Sequence, residues 1–209
     1  DKMEHSHYVS IYDRVFSPFR LTATKVLEIG VKEGNSLRMW EEYFPNAEIY
    51  GIDIVLTPSS GRIHTTVCDQ SKEDALANFI QRLGGDFDLI IDDGSHLNRD
   101  QQVSLQILFP YVKPGGVYVI EDLQMSLYNL DVTRDYPDTT LVVLGEWALN
   151  KKLPSCQFMD PKRAAYLEEH CASIEISPFL GQEQVMRHKN RIRHELRGIV
   201  GILTKKETI

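Results

Sequence analysis

The chain has 209 residues, 42% of them hydrophobic, which suits one domain with a substantial core. Its net charge of −7 and pI of about 5.5 argue against a nucleic-acid surface, which needs clustered Lys and Arg, and no apolar run approaches the roughly 18 to 20 residues of a membrane span. The three cysteines, Cys68, Cys156 and Cys171, form neither a CxxC pair nor a disulfide framework, so the expected compartment is a reducing cytoplasm.

Residues 1–20 are expected to form one amphipathic helix around YVSIYDRVF. KVLEIGV (25–31) reads as a strand, and NSLRMWEEYF (35–44) as a helix with Leu37, Trp40 and Phe44 on one face. Trp40, Tyr43 and Phe44 are expected in the core. AEIYGIDI (47–54) and IHTTVCD (63–69) read as the second and third strands. SKEDALANFIQRL (71–83) is a helix that opens at Ser71 with Asp74 three residues later, the spacing of a capping box, and stops at Gly84 and Gly85. FDLIIDD (87–93) is the fourth strand, RDQQVSLQILFPYV (99–112) a helix, KPGG (113–116) a turn and VYVIED (117–122) the fifth strand. This alternation predicts an α/β fold: a doubly wound, mostly parallel sheet with helices on both faces.

Beyond residue 122 the pattern loosens. Residues 123–138 read as a long loop or short helix, and TTLVVLGEWALNKK (139–152) as a helix. Asp160 and Pro161 read as the N-cap and first position of another helix. ASIEIS (172–177) and GIVGILTKK (198–206) are the expected last strands. The organisation is a single domain over 1–209, with 123–170 as a candidate substrate lid. Tyr128 and Tyr136 are candidates to line a pocket or to anchor that loop. Arg187, His188, Lys189, Arg191, Arg193, His194 and Arg197 form a basic cluster, read as a solvated face or a site for an anionic group.

In open parallel sheets ligands bind beyond the carboxyl ends of the strands, so the polar residues at those ends are the candidate site. The first strand ends in Glu28-Ile29-Gly30-Val31-Lys32-Glu33-Gly34, an E-x-G-x-x-x-G pattern and not the G-x-G-x-x-G dinucleotide fingerprint. Gly30 and Gly34 allow a tight turn and close approach of a ligand to backbone. Glu28 suits a ligand cation or orders the loop. Asp53, at the end of the second strand, is placed to bind ribose hydroxyls or to cap a turn. Asp69, ending the third, either accepts from an adenine amino group or caps the helix near Ser71.

Together these ends resemble the class I S-adenosylmethionine-dependent methyltransferases, over roughly residues 25–122. Within that fold, IDDGSH (91–96) followed by VYVIEDL (117–123) resembles the metal-dependent O-methyltransferases that modify sugar hydroxyls on natural products, the macrolide and rhamnosyl tailoring type. LEIGVKEGNSLRMWEEYFPNAEIYGIDI and HSHYVSIYDRVF are similar to that family as well. The resemblance implies a Rossmann-like fold with a last antiparallel strand, S-adenosyl-L-methionine as cofactor, and Mg²⁺ (or Mn²⁺) held by Asp93, Glu121 and Asp122. It implies His96 as general base, a sugar or glycoside as acceptor, and a role in antibiotic biosynthesis. Asp92 is given no metal role.

The residue types support such a site on their own. Carboxylates converging from neighbouring strand ends repel unless a cation or protons neutralise them, and an all-oxygen set suits Mg²⁺ or Mn²⁺ better than zinc. The alternatives are an O-methyltransferase of a catechol or other non-sugar diol, and a cofactor-binding module without catalysis. A nicotinamide oxidoreductase is disfavoured by the missing fingerprint. Neither a nucleic acid nor a membrane is an expected partner, and oligomeric state is left open, a homo-oligomer included.

Overall fold

A computed structural model of the chain describes residues 6–128, 138–180 and 196–208. Its elements in chain order are α1 (Ser6–Phe16), β1 (Lys25–Ile29), α2 (Asn35–Tyr43), β2 (Glu48–Asp53), β3 (Ile63–Val67), α3 (Glu73–Leu83) and β4 (Phe87–Asp92). There follow α4 (Asn98–Leu108), β5 (Val112–Ile120), α5 (Met125–Tyr128), α6 (Thr140–Asn150), α7 (Pro161–His170), β6 (Cys171–Leu180) and β7 (Leu196–Lys205). The strands form one sheet in the order β3-β2-β1-β4-β5-β7-β6. β1 to β5 run parallel, and β7 runs antiparallel to both its neighbours. This is the expected doubly wound, Rossmann-like arrangement with an antiparallel final strand.

Alternation along the strands sorts side chains onto two faces, because successive residues of a strand point to opposite sides. Val26, Ile49, Leu89, Ile91, Val117 and Val119 pack on the face covered by α1 and α2. There Phe16 lies against Tyr12 and Trp40, with ring centroids 4.9 and 5.5 Å away. Trp40 and Phe44 are core residues as expected, whereas Tyr43 is only half buried, with the Arg20 guanidinium 5.3 Å above its ring. Leu27, Ile29, Ile90, Tyr118 and Ile120 pack on the other face. That layer holds Leu76 and Phe79 of α3, Leu105 of α4, and Leu144 and Trp147 of α6.

Several local expectations change. The N-terminal helix ends at Phe16, and a 3-10 turn over Ser17–Phe19 carries Pro18. α3 starts at Glu73, after Lys72, with no side-chain cap, so Ser71 and Asp74 do not make a capping box. The turn before it is closed by Asp69, which accepts from the Ser71 backbone N–H at 2.9 Å. α4 stops at Leu108 and passes into a 3-10 turn over Phe109–Tyr111, in which Pro110 has no N–H to continue the helical ladder. Residues 113–116 are strand rather than turn, the irregularity being taken up by a register shift opposite Phe87 and Leu89. The last two strands are longer than expected because they pair with each other from Cys171–Lys205 to Leu180–Leu196. The Asp160 cap is as read: its carboxylate accepts from Lys162 and Arg163 N–H at 3.0 and 3.1 Å.

The later part of the 123–170 segment is structural. Val143, Leu144, Trp147, Leu153, Met159 and Leu167 are buried in the main core, and α4 holds its backbone. Gln102 donates to the Asp138 carbonyl at 2.6 Å, and Gln106 donates to Phe158 and accepts from Asp160. A lid made from 140–170 would have to expose this core. Residues 129–137, with Tyr136, and the basic residues from Arg187 to His194 lie outside the described residues. Among the described residues no helix is long and apolar enough to cross a membrane.

Asp88 ties three strand starts together. Its Oδ2 accepts from Thr24 and Lys25 N–H at 2.7 and 2.9 Å, and Oδ1 accepts from Lys113 Nζ at 2.9 Å. Asp88→Ala strands two backbone donors and is expected to lower stability by about 1–3 kcal/mol. Urea unfolding of mutant and wild type measures this, and an unchanged midpoint would show that solvent replaces the carboxylate.

Candidate functional site at the carboxyl ends of the strands

β1 and β4 are neighbours whose connections leave in opposite directions, and a cleft opens at that point, where this type of sheet binds ligands. Gly30, Lys32, Asp53, Asp69 and Gln70 line one side of it, and Asp93 to His96 the other.

The β1 turn is built for close approach. Gly30 has φ 82°, and a Cβ there would lie 2.2 Å from the Asp93 carbonyl oxygen, so only glycine lets the β1 and β4 turns touch. Asp53 Oδ2 accepts from the N–H groups of Val31 and Lys32 at 2.9 and 2.8 Å, and Oδ1 accepts from Val55 at 3.1 Å. The carboxylate thus fixes the glycine turn while lining the cleft. Gly34, φ 76°, is the N-cap of α2. Glu28 is fully buried behind the turn and accepts from Ser36 Oγ at 2.5 Å. This bond joins the end of β1 to the first turn of α2. Asp69 lines the cleft, and its hydrogen bonds with Ser71 hold its carboxyl below the usual carboxylate range.

The acidic cluster lies just past β4 and β5. Asp93, His96 and Asp122 each bring one ligating atom to within 4.8 Å of the others. His96 Nε2 is 3.5 Å from Asp122 Oδ2, and His96 Nδ1 is buried without a hydrogen-bond partner. Both His96 (φ 58°) and Asp122 (φ 55°) sit in the left-handed region, a conformation that costs about 1–3 kcal/mol for a non-glycine residue. Glu121 is 3% exposed. Its N–H donates to the Asp92 carbonyl at 2.9 Å and its own carbonyl accepts from Gln101 Nε2 at 3.1 Å. The three-residue cluster therefore contains His96 where the expected ligand set has Glu121. Two half-exposed carboxylates, Asp93 and Asp122, fit a divalent cation that would offset their mutual repulsion, with the His96 ring beside it.

A second layer of residues supports this cluster and escaped the sequence reading. Asp92 is wholly buried: its Oδ1 accepts from Gln70 Nε2 at 2.8 Å and from Gly94 N–H at 3.3 Å, and Tyr118 Oη stands 3.5 Å from Oδ2. Burial raises its pKa to about 7 against the lowering effect of the Gln70, Gly94 and Tyr118 hydrogen bonds. Asn98 Oδ1 accepts from Ser126 Oγ and Thr140 N–H at 2.8 and 3.0 Å, joining α4 to α5 and α6. Glutamine and asparagine in a polar stretch such as NRDQQVSLQ carry no sequence signal that separates a buried clamp from a solvated face.

Residues 27–123 match a family described as a methyltransferase domain. The 8-demethyl-8-alpha-L-rhamnosyl tetracenomycin-C 2'-O-methyltransferase of Streptomyces olivaceus is 40% identical over 137 residues, 61% of this chain and 36% of its own. The mycinamicin VI 2''-O-methyltransferase of Micromonospora griseorubida is 45% identical over 121 residues, 54% of this chain and 30% of its own. The matches thus span about a third of these relatives' length. Among solved structures, the MycE methyltransferase of the mycinamycin biosynthetic pathway, in complex with Mg and SAH, superposes with a TM-score of 0.72. It is 29% identical, and the match covers 96% of this chain and 50% of that one. By sequence over residues 27–123, and by fold over nearly its whole described length, the chain is similar to methyltransferases, and to sugar O-methyltransferases in particular.

Proposed function

We propose that the chain is an S-adenosylmethionine-dependent O-methyltransferase that acts on a sugar hydroxyl of a glycosylated natural product or sugar precursor. The observation that carries this reading is the cluster of Asp93, His96 and Asp122, continuous with a cleft at the switch point of the sheet. The names of the relatives, sugar O-methyltransferases of tetracenomycin and mycinamicin substrates, support the acceptor class.

The glycine turn, Asp53 and Asp69 would hold the cofactor, Asp53 through its ribose. Asp93 and Asp122, with Glu121 at the adjoining strand end, would hold Mg²⁺ or Mn²⁺. When bound, such a cation acidifies and orients a substrate hydroxyl. S-adenosylmethionine, when bound, would supply an electrophilic sulfonium methyl group to that hydroxyl oxygen, with the thioether as leaving group. His96 takes the hydroxyl proton on an imidazole nitrogen, and the Asp122 carboxylate, 3.5 Å from Nε2, stabilises the resulting imidazolium. Much of the remaining acceleration is positioning. The acceptor lies on the Asp122 side, where the α5 residues Met125 and Leu127 are exposed in the first part of the candidate lid. Three free thiols suit a cytoplasmic reaction.

Asp53→Ala is expected to weaken binding of S-adenosylmethionine and of its demethylated product by about 1–3 kcal/mol, read by calorimetry. Absence of binding to the folded wild-type protein would end the cofactor assignment. His96→Ala is expected to lower single-turnover methyl transfer by roughly 10²- to 10⁴-fold with cofactor affinity little changed. Near-wild-type transfer by a folded mutant would remove His96 from the reaction. Chelation of divalent ions is expected to abolish transfer and Mg²⁺ or Mn²⁺ to restore it; full turnover in metal-free buffer contradicts the role given to the carboxylates.

A further inference from the structure

We infer that Gln70 is a positioning residue: it fixes the turn that carries Asp93 and His96 and joins that turn to the wall of the cofactor cleft. In its effect on turnover the inference rests on the methyl-transfer reading above; in its effect on the turn it does not.

The turn needs a restraint. His96 sits at φ 58°, where an L-residue is held only when its surroundings over-determine it. On the β1 side the turn is held by Asp93 N–H, which donates to the Ile29 carbonyl at 2.9 Å, and by contact with Gly30. On the other side the backbone N–H next to His96, that of Ser95, donates to Gln70 Oε1 at 2.8 Å. This acceptor comes from the end of a different strand, 25 residues away in sequence.

Gln70 is itself immobilised. It is 7% exposed, and its amide nitrogen spends both hydrogens on buried oxygens, Asp92 Oδ1 at 2.8 Å and Ser104 Oγ at 2.9 Å. Those two bonds fix the amide plane and so the direction of Oε1. Gly94 completes the fit, since a Cβ there would lie 1.9 Å from Oε1. The turn and the amide are therefore in contact through backbone that has no side chain to hold them apart. Only a planar group that donates twice and accepts once serves here. A glutamate lacks the donors and adds charge beside Asp92, and an apolar side chain makes none of the three bonds. Asp69, Gln70 and Ser71 together line the cleft, so the residue that grips the His96 turn lies in the cleft wall itself.

A satisfied buried glutamine that only stabilises the fold makes different predictions. Gln70→Met keeps the volume and removes the bonds. We expect hydrogen exchange at Ser95 and His96 to speed by roughly tenfold or more while Leu89 to Ile91 of β4 keep their protection. Gly94→Ala reaches the same contact from the other side and is expected to give the same local change, which covers the case of a Gln70 variant that does not fold. In single-turnover transfer at saturating cofactor and metal, Gln70→Met is expected to cost on the order of 10²-fold, the scale of a misplacement near 1 Å. Cofactor affinity should stay within about threefold of wild type, and the loss should largely vanish in a His96→Ala background, because both changes disable one unit. Unchanged exchange at Ser95 in both variants, acceleration spread evenly over β4, or an undiminished loss in the His96→Ala background would each overturn the inference. If the wild type methylates no glycoside, the activity reading fails, and the exchange measurements alone decide the role of Gln70.

Discussion

Negative charge gathered at the carboxyl ends of β4 and β5 is the constraint around which the rest of the structure is arranged. Asp92, Asp93, Glu121 and Asp122 leave two adjacent strands, and a carboxylate taken from water into a protein is costly unless it is paired or hydrogen-bonded. The four are treated differently. Asp92 points into the α3–α4 layer and is fully buried, so desolvation lifts its pKa to about 7. Its folded-state value then lies above the unfolded one, so the native protein holds the extra proton. The stability linked to Asp92 is complete at low pH and is lost as pH rises through about 7. Asp93 and Asp122 remain half exposed, beside His96, where a cation is the natural complement.

Helix α4 is how the fold accommodates this. It is buried on nearly all sides, with Asn98, Asp100, Gln101, Gln102, Ser104 and Gln106 inside. These side chains reach strand ends, loops and the later helices: Ser104 to Gln70, Gln101 to the Glu121 carbonyl, Asn98 to Ser126 and Thr140, Gln106 to Asp160. Buried polar networks of this kind rigidify when satisfied and are costly when not. α4 thus acts as a polar spine that holds the acidic turn from below and the 140–170 segment from the side.

The strand–helix alternation and the position of a cleft at the switch point were legible because they rest on local signals: apolar runs, period and position at strand ends. Asp93, His96 and Asp122 were singled out by the resemblance of IDDGSH and VYVIEDL to a known family. The misreadings came where tertiary pairing overrides local chemistry. KPGG looks like a turn, yet it lies within β5 as the irregularity between the Phe87–Val112 and Leu89–Val117 pairs, and Ser71 looks like a cap although Asp69 closes that turn. TTLVVLGEWALN reads equally as a lid or a core helix, since nothing local says which surface its apolar face meets. Gln70 and Asn98 were invisible because their importance lies in partners 25 and 28 residues distant.

Left-handed backbone is concentrated at the functional end of the molecule. Three of the five described non-glycine residues with positive φ, Lys32, His96 and Asp122, belong to the cleft or the acidic cluster. Glycine would relax each at little steric cost. A search for thermostable variants by melting temperature alone would therefore tend to be drawn to these positions and to return sturdier proteins that had shed the imidazole or the carboxylate. Selection for persistence and selection for chemistry pull in opposite directions on the same few residues, and directed evolution of this scaffold would need to hold positions 96 and 122 fixed before asking for stability elsewhere.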